Sequence, residues 1–284
     1  MKRILIVGCG DVAMRTIPLL RPHYRLYALI RNPAHAARLR ELGVTPMLAD
    51  LDTRGSLARL AGIADTVLHL APPPNSGMHD SRTRNLLAAL STSTLPGQLV
   101  YISTSGVYGD KGGDWVSETT SLAAHNSRAL RRVDAEQQVR AWAADNGVRT
   151  SILRVPGIYA HDRLPLDRLR AGAPTILASE DSYSNHIHAD DLARIMVATL
   201  RYGKANRVYH ATDDDEMKMG DYFDAVADAY RLPRPPRLSR AQVQALVSPM
   251  MWSFMNESRR LSNTRMKREL RVRLRYPTVS AALP

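Results

Sequence analysis

Arg3-Ile4-Leu5-Ile6-Val7-Gly8-Cys9-Gly10-Asp11-Val12-Ala13 passes from an apolar run straight into a glycine turn. An unbroken aliphatic run of this kind reads as a strand buried on both faces, as in a parallel sheet. The turn has the spacing G-x-G-x-x-A, and each small residue has its own reason to be there. Gly8 permits a tight turn, Gly10 lets the backbone come close to a pyrophosphate, and Ala13 lets the next helix pack against the strand. The backbone from Cys9 through Asp11 and Val12 then lies at a helix N-terminus, where unpaired N–H groups and the positive dipole end suit phosphate. Strand, turn and helix in this order predict a dinucleotide site; a turn that needs glycine for geometry alone is the alternative.

Working outward, short β-branched runs alternate with helix-spaced segments, the pattern of βαβ units. Strands are expected at 3–7, 24–30, 45–48, 66–70, 99–103 and 150–154, and helices at 33–42, 56–62, 81–91 and 129–146. Gly43 and Gly147 stand where left-handed helix caps belong. Pro18 falls inside the first helix and is expected to kink it. The fold class is therefore α/β, a Rossmann-type doubly wound parallel sheet. Residues 1–155 are read as the dinucleotide-binding domain, completed by elements around 186–202. Residues 156–185 and 203–284, helical and rich in methionine around 248–255, form a smaller portion that covers substrate or makes a homodimer face.

Composition narrows the function. No apolar run approaches the roughly 20 residues of a membrane span, and Ile4–Val7 is too short for a signal core. The single cysteine, Cys9, excludes an internal disulfide framework and fits a reducing compartment, so a cytoplasmic location is expected. A net charge of +12 invites a nucleic-acid reading. The arginines are dispersed, however, and neither zinc-finger spacing nor an aromatic RNA-binding signature occurs, so a basic surface suited to an anionic small-molecule substrate is preferred. The nine histidines form no spaced ligand set, so no metal is expected. The run Asp213-Asp214-Asp215-Glu216 reads as a charged loop leading into a helix over 217–230. A Ser-His-Asp hydrolase is disfavoured because the G-x-S-x-G elbow is absent.

The second strand decides which dinucleotide fits. NAD sites place an acid about 20 residues beyond the glycines to hold the ribose 2′-hydroxyl. Here the strand ends in Leu29-Ile30-Arg31-Asn32. Arginine offers a planar donor fork to phosphate, so Arg31 favours NADP(H) over NAD(H). Arg38 is a second candidate, and an exposed strand-end charge is the plain alternative for Arg31.

These residues resemble the short-chain dehydrogenase/reductase superfamily, in its extended, epimerase/dehydratase-like branch. Asp50-Leu51 resembles the family's adenine-contacting pair, and Ala71-Pro72-Pro73 its cofactor-lining turn. Tyr101-Ile102-Ser103-Thr104-Ser105-Gly106-Val107-Tyr108-Gly109 resembles the fifth-strand motif, which implies a catalytic and cofactor-facing Thr104. Arg154-Val155-Pro156-Gly157-Ile158-Tyr159 resembles the segment beside the nicotinamide, which gives Pro156, Gly157 and Ile158 a cofactor role. His186-Ile187-His188-Ala189-Asp190-Asp191-Leu192 resembles a late motif read as structural. The family's chemistry uses Tyr-x-x-x-Lys, the lysine lowering the tyrosine's pKa and holding the ribose. With Asp134-Ala135-Glu136 setting the register, those positions are Arg128 and Arg132, and arginine cannot serve as a general acid or base at neutral pH. Arg132 is left to hold cofactor ribose or phosphates. Arg128 either binds an anionic substrate group or is a solvated helix charge, and Tyr108 and Tyr159 are substitute acids or packing residues.

Two functions follow. One is an NADP(H)-dependent oxidoreductase or epimerase/dehydratase acting on a carbonyl or hydroxyl, with nucleotide sugars among its substrates. The other is a cofactor-sensing protein without catalysis.

Overall fold

The strand expected at the front of the chain is an interior strand of a seven-stranded sheet in the computed structural model, which describes residues 1–284. Strands β1 (Arg3–Val7), β2 (Arg25–Ile30), β3 (Val44–Leu48), β4 (Thr66–His69) and β5 (Gln98–Thr104) are joined by Arg149–Val155 and Arg207–His210. The order across the sheet is β3, β2, β1, β4, β5, then 149–155 and 207–210, and every pair is parallel. This is the doubly wound order, in which the direction of winding reverses between β1 and β4 and opens a crevice beyond the strand C-termini.

The apolar alternation of β1 explains the layering. Ile4 and Ile6 point into one core with Ala13, Ile17, Leu192 and Met196, whereas Leu5 and Val7 point into a second with Leu57, Leu86, Leu87 and Val139. Successive side chains of a strand face opposite sides, so a sheet covered on both faces needs apolar residues at every position. Helices α1 (Asp11–Leu20), α2 (Ala36–Glu41), α6 (Ala189–Tyr202) and α10 (Thr264–Leu270) belong to the first side, and α3 (Ser81–Leu90) and α4 (Ser127–Asn146) to the second. Between α4 and α6 lies α5 (Leu166–Arg170); α7 (Met219–Ala229), α8 (Arg240–Leu246) and α9 (Pro249–Met255) precede α10.

Three expectations change. The sheet gains a seventh strand, Arg207–His210, beyond the six expected; of residues 186–202, His186–His188 pairs only with Gly157–Tyr159, and Ala189–Tyr202 forms α6, which packs against α1 in the first core. Pro18 leaves α1 continuous because it lies in the last turn, where the missing N–H removes one bond and Arg21 N–H still reaches the Ile17 carbonyl at 2.9 Å. The expected 56–62 helix is a 3-10 segment, Arg54–Leu60.

The acidic run at 213–216 is also more than a loop. Asp213 is buried with its carboxyl pushed up to about 9 by burial and by neighbouring Asp215. Asp214 N–H donates to the Pro277 carbonyl at 2.8 Å and Asp215 accepts from Val279 N–H at 2.5 Å, so the run anchors the C-terminal tail. Short parallel pairings of Thr175–Ile176 with Arg237–Leu238 and Trp115–Val116 with Arg260–Leu261 hold the C-terminal third over the strand ends.

Candidate active site

Gly8 leaves β1 with φ +95°, a conformation that favours glycine, and a Cβ there would lie 2.4 Å from the Ala71 nitrogen. The turn is thus pressed against the end of β4, with Leu70 and Ala71 N–H both donating to the Val7 carbonyl. Gly10 is different, because a Cβ on it would meet nothing within 4 Å. The protein leaves open the face of Gly10 where a phosphate backbone would approach, and the first N–H groups of α1 lack intrahelical partners.

Beyond the turn lies a groove of about 320 Å³ lined by Gly8, Cys9, Arg31, Asn32, Asp50, Leu51, Ala71, Pro72 and Arg82. Eight of the twelve expected cofactor residues between Gly8 and Pro73 line it, and Gly10, Asp11, Val12 and Pro73 do not. Burial pushes the Cys9 thiol up to about 11, which keeps it protonated. Arg31 is exposed at the groove edge, whereas Arg38 pairs with Glu41 at 3.3 Å, outside the groove lining. Asn32 accepts from Ala34 N–H at 3.0 Å and caps a short helical turn. The Asp11 carboxylate is occupied by Arg15 and Arg163, so its contribution to a phosphate would come from the backbone. Val12 and Pro73 do not line the groove; the Pro73 carbonyl instead accepts from Arg82 at 3.3 Å. Arg82, which carries no motif, is fixed by Asp52 through bonds of 2.8 and 2.7 Å.

A second cavity, of about 410 Å³, opens beyond β5 and the strand 149–155. Thr104 ends β5 and lines it, its hydroxyl accepting from Gly106 N–H at 3.3 Å. Pro156, Gly157 and Ile158 form one wall. Arg128, in the first turn of α4, also lines it, with its guanidinium 4.1 Å from the Phe254 ring centroid. Arg132, one turn on, donates to the Tyr101 hydroxyl at 3.0 Å and to the Ile102 carbonyl at 2.8 Å. It braces β5 and does not line the cavity.

Tyr108 is not a substitute acid. It is fully buried, with its hydroxyl 2.6 Å from His210 Nε2 and from Arg154 Nη1, and burial pushes it up to about 12. The same network explains Glu136, which forms a bidentate pair with Arg154 at 3.0 and 2.7 Å beneath the site. Tyr159 lines the cavity but is 2% exposed, donates to the Thr278 carbonyl at 3.2 Å and is shifted upward by burial. His186 also lines the cavity, stacked on Tyr222 at 4.2 Å and lowered to about 4 by burial, so it is a neutral ring at ordinary pH. His188 caps α6.

Four residues of this cavity were beyond the sequence reading: Arg163, Arg168, Arg259 and Glu257. With Arg128 they place four arginines and one glutamate in the lining of one space; Arg163 pairs with Asp11 at 2.8 Å, Arg168 donates to the Pro174 carbonyl at 2.6 Å, and Arg259 donates to the Gly109 carbonyl at 2.7 Å and to Glu257 at 2.9 Å. Arg163 and Arg168 come from the segment after Tyr159, Glu257 and Arg259 from the segment after α9, so no local spacing links them.

A match to known families decides the relationship: the description "NAD dependent epimerase/dehydratase family" fits residues 16–211, more than half of the chain. The chain belongs to that family. A relative, the Bacillus subtilis "Uncharacterized sugar epimerase YhfK", is 26% identical over 226 residues, covering 76% of this chain and 95% of its own. A solved structure of a functionally unknown conserved protein from Silicibacter pomeroyi is 28% identical with TM-score 0.80, covering 99% of this chain and 96% of that one. DesIV, a dTDP-glucose 4,6-dehydratase from Streptomyces venezuelae with NAD and TYD bound, shares the fold at 19% identity and TM-score 0.79, covering 99% and 94%. Family membership implies a nicotinamide cofactor, and the unobstructed Gly10 face and the groove beside it fit one. No helix is long and apolar enough to cross a membrane.

Proposed function

We propose that the chain is an NADP(H)-dependent enzyme that oxidises or reduces a hydroxyl or carbonyl carbon of an anionic substrate, a nucleotide sugar being the class its family points to. The observation that carries this reading is the Thr104 cavity with its four arginines. Such a space suits phosphates or carboxylates, since guanidinium groups bind either with paired charge-assisted bonds. At the other end of the crevice, Arg31 stands where an acid would select NAD, which supports the 2′-phosphate.

In this reading Gly8, Gly10 and the N–H groups from Cys9 to Val12 hold the pyrophosphate, and Asp50, Leu51, Ala71 and Pro72 flank the adenosine. Pro156, Gly157 and Ile158 support the nicotinamide, which when bound exchanges hydride with substrate carbon. Thr104 donates to the reacting oxygen and Arg128 fixes an anionic group of the substrate. Arg132 acts indirectly, by holding the end of β5 in place. The supporting experiment follows NADPH oxidation and NADP+ reduction with dTDP-glucose, UDP-glucuronic acid and carboxylated aldehydes and alcohols. Turnover that falls at least tenfold in Thr104→Ala supports the reading, and uniform inactivity of cofactor-loaded protein refutes it.

The second reading, a cofactor-binding protein without turnover, is favoured by one observation. Arginines occupy both positions where the family's tyrosine and lysine would stand, and Tyr108 is sealed in the core. It predicts saturable NADPH binding with no product from any member of the panel.

A further inference from the structure

The chemistry proposed above needs a proton carrier, and the usual phenol is absent. Among the cavity's side chains, Glu257 is the one carboxylate. Its two oxygens are held from different sides: Asn126 Nδ2 donates to Oε1 at 3.3 Å, and Arg259 Nη1 donates to Oε2 at 2.9 Å. Asn126 caps α4 two residues before Arg128, and Arg259 Nη1 also donates to the Gly109 carbonyl at 2.7 Å. Both flanks of the Thr104 region therefore fix this carboxylate, whose side chain is 11% exposed. A carboxylate oxygen accepts two bonds, and each oxygen of Glu257 has one partner from the protein, leaving capacity for a ligand. Phe254, three residues earlier, carries the Arg128 guanidinium on its ring, so substrate anchor and carboxylate sit side by side.

The geometry points to Glu257 as the acid/base residue that takes the place of the missing tyrosine. The inference rests on the oxidoreductase reading. In the oxidising direction the substrate O–H proton passes to a Glu257 oxygen while the O–H bonding pair becomes the second bond of the carbonyl. An oxidised nicotinamide, when bound, would take the hydride from the same carbon and with it the two electrons that the substrate loses. In the reducing direction the protonated carboxyl returns that proton. Asn126 and Arg259 hold the two oxygens of Glu257 in place, and Thr104 aligns the substrate oxygen.

The test uses the full chain with the substrate from the above panel that gives turnover. Glu257→Gln keeps the Asn126 bond and the size of the side chain. It is expected to lower kcat at least 100-fold, within the usual range for acid–base catalysis, and to leave NADPH affinity within about twofold. Glu257→Ala is expected to recover at least tenfold when formate is added, because a free carboxylate can enter the vacated space, a rescue that a merely structural role would not give. Activity of the Glu257→Gln variant within threefold of native, or loss of activity without formate rescue in a folded Glu257→Ala variant, overturns the assignment while leaving the function intact. Native protein that binds NADPH and turns over nothing overturns the functional reading and this assignment with it.

Discussion

Replacing Glu136 with glutamine tests the network that supports the site from below. Glu136 and Arg154 side chains are 3% and 4% exposed and joined by two short bonds, and Arg154 also donates to Tyr108. Removing the charge of one partner leaves a guanidinium in the core with no carboxylate, a loss of about 3–5 kcal/mol for a fully buried pair. For a chain of this size that corresponds to a fall in Tm of roughly 5–8 °C. Replacing both residues together, Glu136→Leu with Arg154→Met, removes both desolvation costs and is expected to lose less than the single variant, since apolar substitutes of similar volume recover packing. Urea and thermal denaturation of the native chain, Glu136→Leu, Arg154→Met and the double variant close the cycle, with Glu136→Gln measured beside them. A loss below about 1 kcal/mol in Glu136→Gln, or a double variant worse than the sum of the singles, would refute the reasoning that this pair is a dry, mutually dependent unit.

Four further outcomes are expected. Gly10→Ala should keep the fold within about 1 kcal/mol yet abolish nucleotide binding, because open space surrounds its Cβ position; Gly8→Ala should lower stability by about 2–4 kcal/mol through positive φ and collision with Ala71, readable by denaturation and titration in parallel. Arg31→Ala should weaken NADPH binding roughly 10–100-fold, the value of a lost charge-assisted contact, and leave NADH unchanged. Asp213→Asn should become progressively more stable than the native chain as pH rises from about 4 to about 9. Its folded pKa is raised, so native stability is greatest below the unfolded value of 3.8 and is lost as pH climbs through about 9, with a slope of about 1.4 kcal/mol per pH unit. Thermal melts at pH 5, 7 and 9 would check this, and a gap that narrows with pH would contradict it. Arg82→Met should weaken NADPH and NADH by a similar factor, since Arg82 ties Asp52 to the Pro72 and Pro73 carbonyls and touches no feature unique to either nucleotide.

The front half of the molecule was legible because its information is local. Ile4–Val7, Gly8 and Gly10 carry strand, turn and helix start within a few residues, and the Gly147 cap ends α4 where expected, at φ +64°. Family motifs gave Thr104 and the Pro156–Ile158 wall for the same reason. The strand Arg207–His210 escaped because its exposed flank and His210 hide a short buried run; that histidine is satisfied by Tyr108 and the Ser262 carbonyl, a partner set no sequence spacing reveals. Tyr108 looked available because a motif gives position but not burial. Glu257 and Arg259 line the same cavity as Thr104 only through docking of the C-terminal third, and Arg168 reaches it from α5, so their convergence is a tertiary fact.

A fluorescence titration of the native chain with NADPH and NADH addresses the core of the account most directly. Saturable binding of NADPH, at least tenfold tighter than NADH and lost in Gly10→Ala, is the expected result. Equal or tighter binding of NADH would contradict the role given to Arg31, and no saturable binding of either nucleotide would contradict the site itself.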